Sequence, residues 1–151
     1  MEDDSAIAKE KEKIDKLYES FENERKSCKL RIDDLISMAR SLSTITEGQV
    51  LMLSFRHELI DKSTDMKKMK QKKMLTLNHL YSSLYDKYKR NGYKNLKLNR
   101  DEIIEYIKDE LRYTYEQVET MELFITYYQK LIETLDKLGF VFKNKIDLEK
   151  M

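Results

Sequence analysis

The stretch NRDEIIEYIKDELRYTYEQVETMELFITYYQKLIETLDKLG, Asn99 to Gly139, decides the fold. Ile104, Leu111, Val118, Ile125 and Ile132 recur at every seventh position, and Ile107, Met121, Tyr128 and Leu135 fill the companion position of the same heptad. Such spacing lays one apolar stripe along a helix. Asn99, with Glu102 three residues later, matches a capping box and predicts the helix start; Gly139 predicts its end. The chain has no Pro and only three Gly in 151 residues, so few positions force a break in helix.

Upstream, the pattern repeats with more interruptions. From Ser5 to about Leu42, Ile7, Ile14, Phe21, Cys28, Leu35 and Leu42 share one heptad position, with Leu17 and Met38 at the companion site. Glu10, Glu24 and Arg31 take the remaining companion sites, which narrows the seam and predicts a helix that docks rather than a tight self-standing dimer. Ser41 to Gly48 reads as a loop. A second helix follows from near Glu47 to about Arg90, with Leu53, Ile60, Met66, Met69, Leu77, Leu80, Leu84 and Tyr88 on one face. Lys70 and Lys73 fall inside that face. An unpaired ammonium is costly there, so they must snorkel, bend out of the seam, or face an anion or an open channel. Asn91 to Asn99 reads as an exposed basic loop.

The expectation is an all-α chain of long helices with coiled-coil-like seams. Residues 1–45 form an N-terminal helix, residues 46–138 a helical core, and residues 139–151 a short tail that docks on a neighbour. Charged residues make up 38% and apolar ones 40% of the chain. This leaves too little apolar material for a thick core, and self-association would supply the missing burial.

Charge is unevenly placed. Between Met66 and Arg100 stand Lys67, Lys68, Lys70, Lys72, Lys73, Lys87, Lys89, Arg90, Lys94, Lys97 and Arg100 against one acid, Asp86. Removing those 11 from 29 basic residues and that one from 28 acidic ones leaves 18 bases and 27 acids elsewhere. The net charge of +1 is thus a cancellation of two opposed fields. Phosphate is the commonest partner of a basic stripe, through counterion release. Tyr81, Tyr85, Tyr88 and Tyr93 interleave with the cations, an arrangement suited to a single strand, where rings stack on bases. The same tyrosines fit a helix core equally well.

Catalytic motifs are missing from the sequence: it has no phosphate-cradling glycine loop, no metalloprotease helix, no nucleophile elbow and no Cys or His cluster. The expectation is a non-enzyme with no cofactor and no metal. His57 and His79 stand alone, and Cys28 has no partner for a disulfide, which fits a reducing compartment. The charged opening residues lack the pattern of a secretory leader, and no apolar run approaches the roughly 18 residues of a membrane span.

Three segments add a resemblance: VLMLSFRHELIDKSTDMKKMKQKKM (Val50 to Met74), YDKYKRNG (Tyr85 to Gly92) and YYQKLIETLDKLGFVFKNKIDLEKM (Tyr127 to Met151). Together they resemble the UvsY-type recombination mediator proteins of tailed bacteriophages, most specifically through LGFVFKNKIDL, Leu138 to Leu148. The resemblance implies a ring-like homo-oligomer of roughly six or seven subunits. It implies binding to single-stranded DNA and loading of a phage RecA-like recombinase onto strands coated by phage single-stranded-DNA-binding protein, in the cytoplasm of the infected host. The family's Leu-Lys-Ala-Arg motif is not reproduced where this chain reads LNHLYSSLYDKY, Leu77 to Tyr88, and residues 1–45 fall outside the resemblance. The eleven basic residues above are therefore the expected DNA face. Ile125, Ile132, Leu135, Phe140 and Phe142 are the expected subunit contact. The competing expectation is a helical scaffold or assembly adaptor, whose basic window pairs with the acidic Glu2 to Glu24 region of a neighbouring chain.

Overall fold

Four helices account for the chain in a computed structural model that describes residues 2–150: α1 Glu2–Ala39, α2 Ile45–Asn91, α3 Arg100–Glu110 and α4 Arg112–Lys150. Met1 and Met151, at the ends of the first and last expected segments, lie outside the described residues, as do the side chains of Glu2 and Asp3. The fold is all-α. Among the described residues no strand forms, and no helix is long and apolar enough to cross a membrane.

The described residues pack as two units. Unit 1 joins the start of α1, up to Tyr18, with Lys68–Glu122; unit 2 joins Glu19–Lys67 with the chain from Leu123 onward. In unit 1 the core is Leu77, Tyr88, Ile103, Ile107 and Leu111, with Tyr81, Leu84, Tyr85, Leu98, Tyr115 and Val118 packed against it. In unit 2, Cys28, Leu35, Phe55, Leu59, Phe124, Tyr128 and Leu135 are buried. Phe21 meets Phe124 edge-on at 4.8 Å.

Where helices begin and end differs from expectation in three places. The long third helix is interrupted at Leu111, which has φ −97° and ψ 12°. No Gly or Pro marks that site, and the heptad runs across it unbroken. Its start agrees: the Asn99 side chain accepts from the Glu102 amide at 2.9 Å, and the Asn99 amide donates back to the Glu102 carboxylate at 3.2 Å.

Gly139 does not end α4. The helix continues to Lys150, so residues 139–150 are its last turns rather than a separate tail. Phe142 explains this, because it stands one heptad beyond Leu135 and is fully buried in unit 2. Burying that ring outweighs the roughly 1 kcal/mol that glycine costs inside a helix.

The first connection is shorter than the expected Ser41 to Gly48 loop. Leu42 lies past the end of α1 and is 66% exposed, while Gly48 sits inside α2. The Thr44 hydroxyl donates to the Met38 carbonyl at 2.9 Å, and the Lys145 ammonium donates to the Ala39 carbonyl at the end of α1. Gly48 is there for space: a Cβ would lie 2.8 Å from Phe142 Cε1 and 2.9 Å from Met38 Cβ. Early in α2 the buried stripe is Met52, Phe55 and Leu59, which leaves the expected Leu53 outward.

Candidate nucleic-acid interface

Within unit 1 the basic residues of the Met66 to Arg100 window fall into two populations. Lys70 and Lys73, the two that interrupt the apolar face of α2, are both neutralised within the unit. Lys70 Nζ donates to Glu122 at 2.6 Å and Lys73 Nζ to Glu10 at 3.0 Å. Glu10 is the centre of a cluster: Gln117 Nε2 donates to its carboxylate at 2.6 Å, Lys13 at 3.1 Å and the Thr114 hydroxyl at 3.4 Å. Burial pushes this carboxyl upward, yet hydrogen bonds from Lys73, Gln117 and Lys13 outweigh it and hold the pKa at about 2. Glu10 is one of the charged companion-site residues of α1. Glu10, an acidic break in the α1 seam, and Lys73, a basic break in that of α2, fill each other.

The other population faces outward. Lys68, Lys72, Lys87, Lys89, Arg90, Lys94, Lys97 and Arg100 are all exposed, and none forms an ion pair among the described residues. Helix geometry aligns part of this set. Lys68 and Lys72 are one turn apart, and Arg90 returns to the angle of Lys72 about five turns later, roughly 27 Å along α2. Asp86 lies on the same strip. Lys67, the last α2 residue of unit 2, is exposed there.

Beyond α2 the chain makes a tight hairpin. Gly92 has φ +63°, and a Cβ on it would stand 2.0 Å from the Leu96 carbonyl oxygen, so glycine is required. The Tyr93 amide donates to the Leu96 carbonyl at 3.0 Å, and the Leu96 amide returns to Tyr93 at 2.9 Å. Lys94 and Asn95 between them have φ of 49° and 67°, the paired positive values of a type I′ turn. Asn tolerates this region; a lysine there is uncommon.

The turn brings together rings that lie apart in sequence. Tyr93 stacks on Tyr106 of α3 with centroids 4.9 Å apart, and Tyr106 stacks on Tyr88 of α2 at 5.9 Å. Tyr88 is only 9% exposed and its hydroxyl donates to Glu110 at 3.2 Å, so the ladder has a buried foot. Cations flank it: Lys94 Nζ is 5.4 Å from the Tyr93 ring centroid, and Lys87 Nζ is 5.9 Å from that of Tyr88.

Of the four tyrosines singled out in the sequence, Tyr88 serves the core and Tyr93 reaches the surface. Tyr81 and Tyr85 pack against the unit 1 core with their rings stacked at 6.5 Å. Tyr106 lies beyond the basic window, and nothing in its surroundings, EYIKD, distinguishes it from any half-exposed helical position.

The five residues expected at a subunit contact lie in unit 2. Ile125, Leu135 and Phe142 are buried within the chain itself and Ile132 is half-buried; Phe140 is 68% exposed. Val141 and Leu148, also exposed, share its side of α4.

Among the described residues no group of three or more His, Cys, Asp or Glu is placed to hold a metal ion. His57 and His79 are both exposed, one in each unit. Comparison with protein-family models, characterised proteins and solved structures finds no match to this chain.

Proposed function

We propose that this chain is a recombination mediator: it binds single-stranded DNA and promotes loading of a phage RecA-like recombinase onto strands coated by single-stranded-DNA-binding protein. The observation that supports this reading best is the sorting of charge in unit 1. The two lysines in the seam are consumed by Glu122 and Glu10, while eight basic residues of the same window stand exposed and form no ion pair among the described residues. An array of exposed cations along a helix and turn suits a phosphate backbone, with no need of a shaped pocket.

Mediation of this kind works through differential binding. The protein grips the strand, weakens the hold of the coating protein and favours the recombinase in its strand-bound state; nucleotide hydrolysis stays with the recombinase. A ring-like homo-oligomer in the cytoplasm of the infected host completes the reading. In it the outward Phe140, Val141 and Leu148 meet a neighbouring subunit, and repetition of the basic face raises avidity.

One observation favours a second reading. The Glu10–Lys73 pair joins the acidic N-terminal segment to the basic window within one chain. The same complementarity between chains would make a helical scaffold or assembly adaptor without nucleic-acid binding.

Fluorescence anisotropy of a labelled single strand, with duplex as competitor and sedimentation on the same sample, separates the two. The mediator binds single strands preferentially as an oligomer. With about five phosphates neutralised, its log–log salt slope is about −3.5. A folded, assembled protein that binds no strand at low salt leaves the scaffold reading in place.

A further inference from the structure

We infer that the hairpin turn after α2 is a base-stacking site, in which Tyr93 receives an unpaired base while Lys94 and Lys97 meet the adjoining phosphates. This inference rests on the single-stranded-DNA reading above and adds a defined contact to it, one that phosphate attraction does not require.

Three features of the turn support it. The first is a ring that is both exposed and held in place: Tyr93 is 39% exposed, yet it is fixed by stacking on Tyr106 and by paired backbone hydrogen bonds to Leu96. A base that lands on a fixed ring loses less entropy than one that must first order a mobile side chain. The second is the anchored ladder beneath. Tyr106 lies on Tyr88, whose hydroxyl is bonded to Glu110, so the rings form a continuous stack from the core of unit 1 to its surface. An unpaired base would continue that stack by one ring.

The third is the charge and backbone of the tip. Lys94 takes φ 49° and its ammonium lies over the Tyr93 ring, from which it moves to a phosphate as the base lands; Lys97, just past Leu96, is also exposed. Leu96, 69% exposed, adds an apolar contact at the same tip. Every base has a π face, so a site of this kind selects for unpaired bases without reading their sequence. Tyr81 and Tyr85 lack this combination, because both are partly covered by the core they pack against.

The test compares two labelled strands of equal length and charge, an oligothymidylate and the same backbone built from abasic nucleotides, for the wild-type protein and for Tyr93→Leu. Wild type is expected to bind the base-bearing strand about tenfold more tightly. Tyr93→Leu is expected to lose that difference while keeping the abasic affinity and the helical circular dichroism of the parent. Equal affinity of wild type for both strands overturns the stacking site and leaves the phosphate reading standing, and this comparison needs no variant. A base preference that persists in a folded Tyr93→Leu protein overturns the assignment to Tyr93. Failure of wild type to bind either strand overturns both readings together.

Discussion

The Glu10 carboxylate and the Lys73 ammonium lie 63 positions apart in the chain and meet at 3.0 Å, each filling a break in the apolar stripe of its own helix. Lys73 keeps 18% of its side-chain surface and Glu10 26%, so each has lost much of its hydration. Replacing Glu10 alone strands the Lys73 ammonium without its carboxylate, whereas replacing Lys73 alone leaves Glu10 its bonds from Gln117, Lys13 and Thr114. Removing both together leaves neither charge without its partner.

From this pair follows the first expectation. Glu10→Ala should lower stability by about 1 to 2 kcal/mol, a figure kept modest because water still reaches both groups. Adding Lys73→Met should restore part of the loss. Urea midpoints of the two single variants and the double variant measure the coupling. The carboxyl titrates at about 2 in the folded chain against 4.5 for the free group, so its contribution is complete above about 4.5 and fades as pH falls toward 2. Wild type should lose stability across that interval by more than Glu10→Ala does.

Charge reversal should distinguish the two lysine populations. Changing Lys68, Lys72, Lys89 and Arg90 together to Glu should abolish single-strand binding while helicity and oligomer size persist. Lys70→Glu or Lys73→Glu should instead lower the unfolding midpoint, since each would set a second acid against Glu122 or Glu10. Anisotropy and thermal melts on the same preparations read both effects. A loss of assembly in the fourfold variant would point to the scaffold reading.

The two helical glycines should respond in opposite directions to alanine. At Gly48 the new Cβ would press on Phe142 and Met38 at under 3.0 Å, and Gly48→Ala should cost about 1 to 3 kcal/mol. At Gly139 the nearest atom is the flexible Met52 methyl at 3.4 Å, and Gly139→Ala should stabilise by about 0.5 to 1 kcal/mol. Pairing Gly48→Ala with Phe142→Leu should recover part of its loss. Denaturant titrations of the three proteins settle the signs.

Cys28 should be inert in the folded protein. Burial raises its thiol, and the hydrogen bond to Glu24 raises it further, to about 12, so almost no thiolate exists at neutral pH. A chromogenic disulfide reagent should label the native chain slowly and the urea-unfolded chain within its mixing time. Fast labelling of the native chain would contradict the buried placement.

What the sequence conveyed and what it withheld follow from the range of the forces involved. The heptad of Ile107, Met121, Tyr128 and Leu135 and the Asn99–Glu102 cap depend on neighbours within a turn or two, and the structure keeps them. Gly139 was misleading because glycine ends a helix only when nothing beyond it has a place to pack; Phe142 has one, against Gly48. The partners of Lys70 and Lys73 stand 52 and 63 positions away, and no local pattern announces such pairings. Tyr106 stacks on Tyr88 from another helix, and the turn at Lys94 and Asn95 folds Tyr93 back onto it; neither approach shows in local spacing.

The Glu10 cluster also bears on the order of events during synthesis. Its hydrogen bonds reach Thr114 and Gln117, which lie 104 and 107 positions downstream. Until Gln117 has left the ribosome, the carboxylate has neither that amide nor the Thr114 hydroxyl to accept from, and the first turns of α1 wait without them. Contacts of that span are slow to close, so this cluster forms late in folding. A nascent chain stalled before Gln117 should leave its N-terminal segment open to protease, whereas one released beyond it should not.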